Sequence, residues 1–140
     1  MHTIRLRRPW TRQFANAAVD RRVDVPDQAT SVESPPAGMM IYRRNFNRPS
    51  GLDEGQEVQL VVTGWTGLLR LITVNGVAID AALADPPLRA DIAAMLQGSN
   101  IIQVDLGPDE GGAVGLTGHV RLEIREASGE STATKVRGLV

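Results

Sequence analysis

Cysteine is absent from this chain, so disulfides and thiolate metal ligands are excluded and packing alone must hold the fold. The redox compartment is therefore not set by the sequence. Histidine is almost absent too. His2 lies at a terminus and His119 falls on the polar face of a strand pattern, whereas zinc needs three or four nitrogen, sulfur or carboxylate ligands. No metal site, catalytic triad or cofactor is expected: no serine sits in a Gly-x-Ser-x-Gly elbow, and a general base is hard to place with so few histidines. Aromatic residues are scarce, with Trp10, Phe14, Tyr42, Phe46 and Trp65 making up the whole set. An excess of either charge is lacking as well. Fifteen basic against sixteen acidic residues give a net charge of -1, which leaves no broad positive field to gather nucleic acid or an anionic membrane. Long apolar runs are missing, and the N-terminal IRLRRPW is broken by charge too often for a signal peptide, so the cytoplasm is the default compartment.

Period-two alternation is plentiful. HVRLEIR places Val120, Leu122 and Ile124 on one face, and His119, Arg121, Glu123 and Arg125 on the other. EVQLVVT alternates Val58, Leu60 and Val62 with Glu57, Gln59 and Val61, and IIQVDL alternates Ile102, Val104 and Leu106 with Ile101, Gln103 and Asp105. Such half-apolar strands are antiparallel in character. LLRLITV runs into Asn75-Gly76, a pair suited to the positive φ angles of a tight hairpin, with Val77 to Ile79 pairing back. MIYRRNF reads as a strand with Tyr42 and Phe46 on one side, and TIRLRRPW as a strand broken at Pro9. Turn-rich stretches such as NRPSGLDEG, DPPLRAD and GPDEGGAVGLTG separate six or seven strands. One two-turn helix is expected from Asp91 to Gln97, capped by Asp91 and stopped by Gly98. This pattern predicts one all-β antiparallel sandwich over residues 1–127, followed by a small, polar, frayed tail over 128–140.

In their order and spacing, YRRNFNRP, EVQLVVTG, LLRLITVNGVAI, DIAAMLQGSNIIQVDL and VGLTGHVRLEI resemble the galactose-binding-like jelly-roll domain of family-2 glycoside hydrolases. Trp10 and the Val23 to Pro26 segment VDVP fit its opening, so the resemblance spans Ile4 to Arg125. It implies two packed antiparallel sheets with any binding in loops at one rim. In that family the catalytic carboxylates lie in a separate barrel, so the resemblance implies a non-catalytic module for carbohydrate or glycoconjugate. A structural or protein-interaction domain without a sugar site is the alternative.

Sugar recognition asks for an aromatic face against the ring, and for planar polar groups that meet hydroxyls in pairs. The candidate ligand-binding residues are Trp65, Arg70 and Trp10, and each has a structural alternative. Trp65, between Gly64 and Gly67, can plug the end of the sandwich. Trp10, beside Pro9, can anchor the core. Arg70, which interrupts LLRLITV, can pair with a carboxylate such as Asp105. Asp109 with Glu110, and Asp80 with Asp85, read as solvated loop acids, with a weak calcium site as the alternative. Arg5, Arg7, Arg8, Arg12, Arg21 and Arg22 crowd the start against Asp20 alone, which reads as a solvated basic strand and loop or as a surface for an anionic partner. The ligand, a saccharide or a protein, and the oligomeric state are not fixed by these residues.

Overall fold

The structure, a computed structural model, describes residues 2–14, 20–31, 39–79, 85–109 and 112–126. The expected C-terminal tail, Asp80 and Glu110 lie outside the described residues.

Among the described residues twelve strands follow one another: β1 (His2–Arg5), β2 (Trp10–Phe14), β3 (Arg21–Val23), β4 (Thr30–Ser31), β5 (Met40–Asn47), β6 (Gln56–Val62), β7 (Leu68–Val74), β8 (Val77–Ala78), β9 (Leu88–Asp91), β10 (Ser99–Gly107), β11 (Ala113–Val114) and β12 (Val120–Glu126). They build a four-stranded sheet in the order β1-β12-β6-β9 and a six-stranded sheet in the order β3-β2-β5-β10-β7-β8, with β11 and β4 as a separate pair. Every pairing is antiparallel. The chain passes repeatedly from one sheet to the other, so apart from the β2–β3 and β7–β8 pairs the neighbours within each layer come from strands that are not consecutive in sequence. The all-β antiparallel sandwich is the architecture the alternating patterns predict.

The core lies between the two sheets, where the inward parities meet. Tyr42, Leu60, Ile72, Ile102, Leu106 and Leu122 are all at most 1% exposed. Burying such side chains stabilises the fold by roughly 1.5–3 kcal/mol each. Trp10 joins them at 0% exposure, and its indole N–H donates to the Leu6 carbonyl at 2.7 Å. Tyr42 donates its phenol to Asp27 at 2.8 Å, and burial pushes that phenol's pKa up. Asp27 also accepts from Arg12 at 2.6 Å, while Asp24 stands 3.8 Å from Arg8, so two of the crowded N-terminal arginines have carboxylates just downstream.

The hairpin between β7 and β8 has Asn75 at φ 53° and Gly76 at φ 80°, as the Asn-Gly pair requires. The Asn75 amide then ties the turn to the next strand. It donates to Met95 O and to Asn100 Oδ1, and it accepts from Ile101 N, each at 2.9 Å. Asn100, 2% exposed, spends its own amide on Phe46 O and Gln97 O.

The expected helix from Asp91 to Gln97 shrinks to a single 3-10 turn at Ala93–Met95. Leu88 to Asp91 pair with Val62 to Gln59 instead, and Ile92 N donates to Val58 O, so sheet pairing claims the residues that would have opened the helix. Asp91 accepts from Ala93 N at 3.0 Å, but the residue at the turn's N-cap is Ile92, which makes no side-chain capping bond.

Candidate functional site

β7 carries a β-bulge. Asp105 stands opposite Leu71 and Leu106 opposite Leu69, which leaves Arg70 without a partner across the ladder. A bulged residue re-aims its side chain and resets the alternation. Leu69 and Ile72 consequently both face the core although three positions apart, while Arg70 and the 40%-exposed Leu71 both face solvent. Arg70 does not reach Asp105, whose carboxylate accepts from Gln103 at 3.0 Å. The Arg70 side chain lies across Gly107 instead, so closely that a Cβ there would meet its Nε at 3.0 Å.

Beside it, Trp65 is half-buried, packed partly against the core. Its backbone is pinned by a two-way bridge between Thr66 and Gly115, at 2.8 and 3.1 Å, and by Gly118 N donating to Gly64 O at 3.0 Å. That approach requires glycine. A Cβ on Gly118 would fall 2.3 Å from Gly64 N, and Gly67 adopts φ +99° with the Gly107 carbonyl 2.4 Å from where its Cβ would stand.

Trp65, Leu68, Leu69 and Arg70 line a surface depression of about 440 Å³ together with Asp85 and Pro86. Two of the ligand-binding candidates, Trp65 and Arg70, therefore share one hollow with Asp85, which the sequence reads as a solvated loop acid: a ring, a guanidinium and a carboxylate. Trp10 does not join them. With no exposed surface it offers nothing to a ligand, and its role is the core one, fixed by the Leu6 hydrogen bond. Gly107, which sets where Arg70 lies, carries no sequence signal of its own, because a glycine closing a strand is commonplace.

A second hollow, about 940 Å³, opens on the four-stranded sheet beside Arg5, Arg7, His119 and Arg121. Its basic character is partly spent on Glu123. That carboxylate is 5% exposed and accepts from Arg89, Arg121 and Arg125, each at 2.8 Å. The hydrogen bonds from Arg89 and Arg121 lead in holding its carboxyl near pKa 2, well below the usual range. His119 is exposed just before β12.

A third hollow, about 460 Å³, sits where β1 faces β5 and is lined by Ile4, Arg5, Arg44, Asn45, Phe46 and Asn47, among others. Arg44 shares the inward parity of Tyr42 and Phe46. Its Nη1 donates to the Asn45 carbonyl, its Nε is buried without a hydrogen-bond partner, and burial pushes its pKa down. Among the described residues no group of three or more His, Cys, Asp or Glu could hold a metal, and no helix is long and apolar enough to cross a membrane.

No protein-family model matches the sequence, and no curated protein matches it either. Solved structures do. An FMN-binding β-glucuronidase from Facaelibacterium prausnitzii L2-6 superposes with a TM-score of 0.70 at 19% identity, over 86% of this chain and 22% of its own. A β-glycosidase from Bacteroides vulgatus gives 0.68 at 20% identity, over 90% and 20%. A putative β-galactosidase from Bacteroides fragilis gives 0.67 at 18%, over 88% and 23%. The chain thus spans about a fifth of each of these enzymes. The likeness is one of fold, and the fold is the jelly-roll sandwich found in family-2 glycoside hydrolases, as the order of the sequence motifs implies.

Proposed function

We propose that this chain is a non-catalytic module that binds carbohydrate through the depression between β7 and the segment before β9. The observation that carries this reading is the convergence of half-buried Trp65, Arg70 and Asp85 on one hollow. An indole offers an apolar face to the C–H side of a pyranose, while a guanidinium and a carboxylate meet adjacent hydroxyls as planar donor and acceptor pairs. Arg70 is free for that task because the bulge turns it away from Asp105. The structural neighbours support the reading by fold, being glycosidases of which this chain matches a small part. Glycan-array screening followed by ligand-observed NMR at millimolar sugar tests it. Trp65→Ala and Arg70→Ala are each expected to weaken any saccharide bound by the wild-type chain about tenfold, the loss of one well-placed contact. Absence of binding to every glycan, or binding indifferent to both substitutions, overturns the reading.

A protein-docking role is the second reading, favoured by four exposed apolar side chains on the six-stranded sheet: Leu68, Leu71, Val77 and Ile101, at 37–50% exposure. It predicts a complex, or a dimer seen by light scattering, that Leu71→Asp dissociates and that sugars do not affect.

A further inference from the structure

The outer face of the four-stranded sheet gathers arginines that the sequence keeps far apart. Register sets Arg5 of β1 opposite Arg121 of β12, Arg121 opposite Val61 of β6, and Val61 opposite Arg89 of β9, so one row crosses all four strands and carries three guanidinium groups. Neighbouring strands lie about 4.8 Å apart, which makes the row roughly 14 Å long at the backbone. Arg7 and His119 line the same hollow as Arg5 and Arg121. Of the other arginines crowded at the start of the chain, Arg8 and Arg12 stand against Asp24 and Asp27, and Arg21 and Arg22 lie on β3 in the other sheet. Among the described residues no carboxylate pairs with Arg5 or Arg7.

Like charges directly across a ladder repel, so Arg5 opposite Arg121 works against the fold unless an opposite charge meets the pair. Glu123, in the next row, answers only part of this. Its one carboxylate serves Arg89, Arg121 and Arg125 together, and so fixes their guanidinium groups while using a single N–H of each. Side-chain exposures of 43% for Arg89 and 28% for Arg121 leave the remaining donors open to a partner. The length and setting of the row select that partner. It outreaches a single oxyanion. Glu123 and Asp91 in the adjoining row, with Glu57 in the one beyond, oppose a continuous phosphate backbone, and no aromatic side chain in these four strands offers a base a stacking surface. Guanidinium forks instead match carboxylates two hydrogen bonds at a time. We propose that this face docks an acidic segment of a partner protein, its side-chain carboxylates meeting Arg5, Arg7, Arg121 and Arg89. The face shares no residue with the Trp65 hollow and the proposal does not depend on the sugar reading.

The test is fluorescence anisotropy of the full chain with a short labelled oligoglutamate peptide, run beside a labelled single-stranded oligonucleotide and inorganic phosphate. The peptide is expected to bind at low salt and to weaken severalfold as salt rises to about 0.15 M. Arg5→Glu combined with Arg7→Glu is expected to weaken it about tenfold or more, because two attractive charges become repulsive. Arg21→Glu combined with Arg22→Glu changes the net charge equally on the other sheet and should leave the affinity unchanged. Arg5→Gln with Arg7→Gln should weaken binding by a smaller factor, so the result is readable even where charge reversal unsettles the edge strand. Equal losses in the two charge-reversed pairs reduce the effect to net charge and overturn the proposal. Absence of peptide binding overturns it too, as does an oligonucleotide or phosphate that binds as tightly as the peptide.

Discussion

Glu123 shows how far the burial of one side chain can depart from what its parity predicts. Alternation along HVRLEIR assigns it to the solvent face, and it is on that face, yet it is only 5% side-chain exposed because Arg89, Arg121 and Arg125 close over it. Its carboxyl is held near pKa 2, below its unfolded value, so the stability it contributes is fully present above the ordinary glutamate range. That contribution is lost as pH falls from about 4.5 towards 2. Glu123→Gln is therefore expected to cost about 1–2 kcal/mol at neutral pH, allowing for the partial exposure of the arginines, and to flatten the acid limb of the stability curve. Urea titrations from neutral pH down to about pH 3 check both effects. Arg44 is the converse case. The strand reading placed Tyr42 and Phe46 inward, and the same period-two count puts Arg44 between them. The signal was legible, but nothing in the local sequence says that the neighbouring strand stops short and leaves space for a charge.

At the scale of elements, the hairpin was readable because Asn75 and Gly76 impose their own backbone angles whatever surrounds them. Less readable is what the Asn75 side chain does afterwards, since its partners Met95 and Asn100 are some twenty residues away in sequence or more. Asn100→Ala strips hydrogen bonds from Phe46 O, Gln97 O and Gln97 N at a buried position. A loss of about 2–3 kcal/mol is expected from groups left unpaired, read as a lower urea midpoint at constant m-value. The helix failed for the same reason that the long-range bonds were hidden. Capping and spacing around Asp91 are local signals, and they lose to the ladder that β9 makes with β6. The bulge at Arg70 was likewise invisible, because a one-residue slip in pairing depends on where β10 places Asp105 and Leu106. Trp65 and Arg70 were nameable as candidates, but their meeting with Asp85 is a product of topology.

For the whole molecule, two sheets sharing one core should unfold as a unit. Leu122→Ala, at the centre of the inner face of β12, is expected to cost about 2–5 kcal/mol, the usual toll of a large-to-small change in a packed core. Amide exchange should follow layer position. β6, β10 and β12, each flanked by strands on both sides, are expected to exchange only through global opening, whereas the edge strands β3 and β8 exchange early. Early exchange throughout β12 would contradict the sandwich itself.

The ordering of the four-stranded layer has a further consequence for how the polypeptide becomes a protein. Its opening strand, β1, lies against its final one, β12, and β12 in turn screens β6. A ribosome releasing this chain therefore hands over most of the sequence before that layer can close. Until residues 120–126 emerge, β6 keeps an unpaired edge on that side, and the growing chain depends on chaperones or on speed to avoid pairing with others.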